Sequence, residues 1–286
     1  MRSYSSKSSM TNSGAARGRE LCLRRYRSVS LCLIFLVAVG VGATRADAAP
    51  LDEAAERYRS YIIEDIGRAL AGARTLREYV GARDLSGAKQ AWIDARAGWE
   101  RSEVFTSGFA PDLDEKIDAW PDASSGFHAI EARLFGADMV NVEEQTDALI
   151  LHLAELDAEI RHIALTPQGL LNGITRLAYE VGESKVDGGE SRFSGTSLDD
   201  MRHNADGVAL AYRTIFATAL EASDPKLAAA IQSRVEELRK VLDVPDLKRV
   251  DPAKLRVLSE ELVVALQGSA QKIGLARPTL EEPSPR

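Results

Sequence analysis

Beyond about the first fifty residues of this 286-residue chain, apolar side chains recur at three- and four-residue intervals in nearly every segment. No segment sustains the period-two alternation of a half-buried strand bounded by hairpin turns. That pattern predicts an all-α fold. Thr166-Pro167, Asp224-Pro225 and Asp251-Pro252 each set an N-capping side chain before a proline, whose missing N–H and fixed φ suit the first helical position. Working outward from these three starts, helices are expected at 52–80, 86–107, 125–136, 143–164, 167–185, 197–222, 225–243 and 252–274. Eight helices in about 238 residues suit two packed four-helix bundles, with one larger bundle as the alternative. Residues 108–123 and 186–196, rich in turn formers and acids, are expected to be non-helical connections of the kind that carries function. The folded domain is expected over 49–280, with 281–286 a disordered tail.

The first 48 residues do not fit the helical pattern. Arg24, Arg25 and Arg27 precede the apolar run SLCLIFLVAVGVGA and then Ala46-Asp47-Ala48, the layout of a secretory signal cut after Ala48. A retained membrane anchor is the alternative, and the shortness of the apolar run disfavours it. Both cysteines, Cys22 and Cys32, lie in this segment, so the exported chain would have no thiolate chemistry and no disulfide. No cysteine follows the apolar run at the cleavage point, which argues against a lipid anchor. Removing the segment takes away eight basic and two acidic side chains and leaves 28 against 41, a net charge near −13. That balance disfavours nucleic acid and anionic membranes as partners and suits cationic ligands.

Several carboxylates fall where a helix should be apolar. In 125–136, Phe127, Ile130, Leu134 and Phe135 form the apolar arc; Glu131 lies inside it, about 40° from Phe127, and His128 at its edge. A buried carboxylate must be protonated, ion-paired or metal-bound. In 86–107 the arc centres on Trp92, Ala95 and Trp99, with Glu103 roughly 60° from the centre and Glu100 roughly 120° away. Glu103 is expected inward and Glu100 marginal. In 167–185, Glu180 flanks the stripe and Glu183 points away. Helical bundles build metal sites from carboxylates and His projecting inward from facing helices. The alternative is structural: Glu131 paired with Arg96 or Arg133, and His128 a satisfied core residue.

These residues sit in longer stretches that resemble a known family. GFHAIEARLFG resembles the G-x-H-x-x-E motif of the imelysin-like family, which includes the periplasmic EfeO and EfeM proteins of bacterial iron uptake and an alginate-binding relative. ARAGWERSEVF is similar to the family's A-R-x-x-Y-E-x-x-E segment, and LDEKIDAW to its I-D-A-R loop, with Trp120 where the family usually carries Arg. YEVGESKVDGGESRFSGTSLDDMRHNADG resembles the stretch that joins two of its helices. Together these cover most of 86–210 in the family's order. The resemblance implies metal contact by Glu100, Glu103, Asp118, His128 and Glu131, with Glu180 close by.

It also implies a periplasmic protein that binds a divalent or trivalent metal ion, iron foremost with zinc or copper compatible. Such a protein would serve an inner-membrane iron permease or other uptake component. Two alternatives remain at this point. One is a metallopeptidase built on His128 and Glu131, although the second His of an H-E-x-x-H zinc helix is missing and His152, His162 and His203 lie in other segments. The other is binding of an acidic, alginate-like polysaccharide, for which Trp92, Trp99, Trp120 and Tyr179 offer stacking faces. Trp92 and Trp99 lie on an apolar face and are expected in the core.

Overall fold

In the computed structural model, which describes residues 49–119, 124–136 and 141–280, the chain is helical and no strand occurs among the described residues. The expected export signal at 1–48, the tail at 281–286 and Trp120 lie outside the described residues. The first half contains α1 (Ala49–Gly81), α2 (Leu85–Phe109), α3 (Pro111–Asp118), α4 (Gly126–Glu131) and α5 (Val142–Glu159). The second contains α6 (Pro167–Glu183), α7 (Ser197–Ala211), α8 (Ala217–Ser223), α9 (Pro225–Leu242) and α10 (Pro252–Ser269). A π-helical segment, Tyr212–Phe216, makes α7 and α8 one continuous rod.

The three Pro-marked starts form as the capping chemistry predicts. The Thr166 hydroxyl accepts from the Gly169 N–H at 3.1 Å, Asp224 from Leu227 at 3.1 Å, and Asp251 from Ala253 and Lys254 at 3.1 and 3.2 Å. The expectation of a non-helical 108–123 is corrected. α2 continues to Phe109, breaks at Ala110 (φ −136°, ψ 54°) because Pro111 cannot extend a helix, and α3 starts on that proline. Leu113 and Ile117, one turn apart, bury the inner face of α3. The expected single helix at 125–136 is α4 followed by a π-helical turn, Ala132–Gly136, and the expected 143–164 ends early, at Glu159.

α1 lies along α2 and α5, while α3 and α4 close the gap between α2 and α5. In the second half α6, α7, α9 and α10 pack in a closed ring, each against two neighbours. These are the two expected bundles. α2 joins them, packing on α6 and α7 as well as on α1. The joint is backbone to backbone: a Cβ on Gly173 of α6 would stand 1.9 Å from the Val104 carbonyl oxygen, and one on Gly207 of α7 would stand 2.6 Å from that of Arg101. α2 is thus enclosed on several sides, and its polar residues there have no water to turn to. Trp92 and Trp99 are fully buried, as their place on the apolar arc predicts.

Candidate metal centre

Where the two bundles meet, α2, the end of α3, α4, the 184–196 connection and α7 bring acids and bases into one cluster. The outward step from helix to connection is made by turns at Gly188 and Gly195, both with φ near +75° (76° and 74°), a conformation glycine adopts without strain.

Glu131, buried to 1 % exposure, has a partner for each oxygen. Its Oε1 accepts from the Phe193 N–H at 3.1 Å, the Ser194 N–H at 2.8 Å and the Ser194 hydroxyl at 2.7 Å; its Oε2 lies 3.4 Å from His128 Nδ1. Burial pushes this carboxyl up, but the His128 and Ser194 hydrogen bonds outweigh it and hold the group below its usual range. An ionised Glu131 can only accept, so it favours the tautomer with the hydrogen on Nδ1 and leaves the lone pair of Nε2 pointing the other way. That Nε2 is buried and has no hydrogen-bond partner among the described residues. It stands 3.4 Å from Asp118 Oδ1 and 3.9 Å from Glu190 Oε1.

Two buried cations hold the other acids. The Arg96 guanidinium lies 5.5 Å from the centres of both the Trp92 and Phe127 rings. It pairs with Glu100, with Asp118 at 2.6 Å, with Asp200 at 3.4 Å and with Glu190 at 3.7 Å. Lys185 Nζ lies 2.9 Å from Glu100, 3.0 Å from Glu103 and 3.1 Å from Glu190. Asn204 donates to Glu100 Oε2 at 2.9 Å and to Glu103 Oε2 at 2.6 Å, and the Trp99 indole N–H to Asp118 at 2.7 Å.

Five carboxylates, Glu100, Glu103, Asp118, Glu190 and Asp200, thus face one guanidinium and one ammonium. The excess shows in the acids' proton affinities. Burial works against ionisation of Glu100, yet Arg96 and Lys185 beside it hold it down at about 2. Burial and the neighbouring Glu100 push Glu103 well up; burial pushes Glu190 up and Asp200 up to about 7. A cluster with more carboxylates than cations, together with an orphaned imidazole nitrogen, fits a metal ion.

Geometry supports the fit. Asp118, His128 and Glu190 offer ligand atoms within 4.8 Å of one another, and so do Glu100, Glu103 and Asp118. Metal–ligand bonds of about 2.0–2.2 Å would need only a small contraction of either set. Carboxylate with imidazole suits iron, zinc, manganese or copper.

Of the residues expected at the site, Glu100, Glu103, Asp118 and His128 come together in these sets, and Glu131 stands behind His128. Glu180 does not join them; it lies 3.3 Å from Arg176 on its own helix. Arg96 does not pair with Glu131, as the structural alternative had it, but with Glu100 and Asp118. The ranking on α2 is reversed: Glu100, expected marginal, is fully buried, while Glu103 is half-buried, because α6 and α7 cover the side of α2 that the wheel leaves outside. His152, His162 and His203 stay out of both sets, with His162 exposed.

Glu190, Lys185, Asp200 and Asn204 were not anticipated. Glu190 belongs to DGGES, a connection without periodicity; the available signal was an acid among glycines between two long helices. Among the described residues no helix is long and apolar enough to cross a membrane.

Comparison with known proteins bears on this site. The imelysin family model matches residues 54–125 and 122–273. A protein of Staphylococcus haemolyticus described as an Efem/EfeO family lipoprotein is 31% identical over 206 residues, 68% of this chain and 71% of its own length. One of the same description from Staphylococcus aureus is 31% identical over 210 residues, 68% of this chain and 72% of its own length. A solved structure from Parabacteroides distasonis, described as an iron-regulated protein A precursor, superposes with a TM-score of 0.65 at 14% identity, over 79% of this chain and 95% of that one, and shows the shared fold. With the family model matching across both bundles and relatives at this identity, the chain belongs to the imelysin family.

Proposed function

We propose that this protein is an exported metal-capture component of an iron-type uptake system, taking an ion into the cluster between its bundles and passing it to a membrane-bound permease. The observation that carries this reading is His128 Nε2, a buried nitrogen with no hydrogen-bond partner among the described residues, facing two carboxylates. What sets it apart from the likewise unpartnered Nδ1 atoms of His152 and His203 is the pair of carboxylates that it faces. Asp118, His128 and Glu190 would hold the ion, with Glu100 and Glu103 adjoining and Glu131 fixing the imidazole. The description of the staphylococcal relatives as Efem/EfeO family lipoproteins and the acidic charge balance support the same reading. Because Glu103 and Glu190 hold protons more tightly than usual, binding would release protons and weaken as pH falls.

Two features speak against the peptidase alternative. Glu131 is turned to the Phe193 and Ser194 N–H groups and to His128 Nδ1, not to the Nε2 side where the other acids lie, and no second histidine joins the set among the described residues. For the polysaccharide alternative, Trp92 and Trp99 are buried, leaving Tyr179 as the exposed described aromatic of the group named for stacking. Isothermal titration of the purified protein with Fe²⁺ under argon, Zn²⁺ and Cu²⁺ tests capture. Saturable metal-dependent heat, at least tenfold weaker in His128→Ala, is expected; no heat, or a wild type that matches the variant, would sink the proposal.

A further inference from the structure

Two ligand sets here share one carboxylate: Asp118 belongs both to the set with His128 and Glu190 and to the set with Glu100 and Glu103. Centres that hold two ions are joined in this way, with the ions roughly 3.5–4 Å apart. The second set, however, already contains a cation. Lys185, immediately beyond the end of α6 and buried, places Nζ within 3.1 Å of Glu100, Glu103 and Glu190 together, so that its three N–H groups meet three carboxylates.

A separate observation marks the same spot. Asn204, fully buried on α7, turns its amide nitrogen to Glu100 and Glu103, and its Oδ1 has no hydrogen-bond partner among the described residues. Half a turn of the amide would bring that oxygen round to the two carboxylates. Beside carboxylates alone this orientation is repulsive; with a cation between them the oxygen becomes a neutral ligand of the hard type that metal ions accept.

We propose that Lys185 is a tethered cation filling the Glu100/Glu103/Asn204 half of a latent two-ion centre, so that the protein carries one ion, on Asp118, His128 and Glu190. The inference rests on the capture reading above. The ammonium satisfies the carboxylates a second ion would need and repels any ion that approaches them. Without it, Glu100, Glu103, the shared Asp118 and a turned Asn204 form an oxygen-rich set, with Arg96 left as the remaining cation beside Glu100 and Asp118.

The test is a count of ions per chain, by elemental analysis and titration of the purified protein with Zn²⁺ and, separately, Co²⁺. One ion is expected in the wild type, two in Lys185→Met, and one again when Glu103→Gln is added to Lys185→Met. Lys185→Gln, which keeps hydrogen bonds to the carboxylates, replaces Lys185→Met if a melting curve shows that the latter does not fold. One ion in both wild type and neutral variant, or two in the wild type, overturns the proposal and leaves capture standing. No ion in the wild type but one in the variant, sensitive to Glu103→Gln, removes capture and upholds the blocking role of Lys185. No ion in either overturns both.

Discussion

Glu131 and His128 act as a pair in which the carboxylate decides which imidazole nitrogen faces the cluster, and two substitutions separate that task from packing. Glu131→Ala strips acceptors from the Phe193 and Ser194 N–H groups; these are partly buried donors, so the loss should be at or below about 1 kcal/mol each and the melting temperature should drop by a few degrees. Glu131→Gln can keep an oxygen toward Ser194, but its amide donates to Nδ1 and drives the imidazole proton onto Nε2. The expected result is near-normal stability with metal affinity about 10–100-fold weaker in titration; unchanged affinity would show that the tautomer is immaterial.

Asp200 makes a pH prediction. Its carboxyl is raised by burial from 3.8 to about 7 in the folded protein, so between those values the folded state binds more protons than the unfolded chain and stability falls as pH rises. Denaturant titration of the metal-free protein at pH 5 and pH 8 should therefore show lower stability at pH 8, with a smaller difference in Asp200→Asn. At this scale the burial of Glu131 was legible, because one short amphipathic helix has a single inner face. That of Glu100 was not, because the wheel assumes one inner face and α2 has more than one.

The tightest of the glycine contacts is that of Gly173 with a carbonyl of α2. Gly173→Ala should destabilise by about 1–3 kcal/mol or more, since the obstacle is the backbone oxygen of Val104 and cannot swing aside. Gly67, within α1 and with nothing within 4 Å of an added Cβ, should respond the other way; Gly67→Ala should stabilise by about 0.5–1 kcal/mol through helix propensity alone. Equal shifts in thermal melts of the two variants would remove the crossing as the cause. Helix existence was largely legible, because capping side chains before Pro167, Pro225 and Pro252 act locally. α3 was not anticipated although Pro111, two early acids and the Leu113/Ile117 spacing were all present: a stretch rich in turn formers outweighed a single i, i+4 pair. The Glu190 connection has no periodicity at all, and its position follows from how α6 and α7 are brought together, which only the packed bundles determine.

For the whole molecule, the acids of the cluster come from elements spread from α2 to α7, so filling the site ties the two bundles together. An ion that binds only the folded chain stabilises it by about 2.7 kcal/mol at a hundredfold excess over its Kd. Zn²⁺-loaded protein should melt several degrees above the chelator-treated form, and the difference should vanish in His128→Ala; a residual difference would place binding elsewhere. Trp99 has a consequence beyond structure. Its indole N–H is hydrogen-bonded to Asp118 at 2.7 Å, and the chain has three tryptophans in all, so an emitting chromophore is wired to a carboxylate of the cluster. In a Trp120→Phe background, an open-shell ion such as Fe²⁺ arriving at Asp118 should quench the emission, while closed-shell Zn²⁺ should shift it with little loss of intensity. The protein would then report its own loading by its fluorescence, with no added dye.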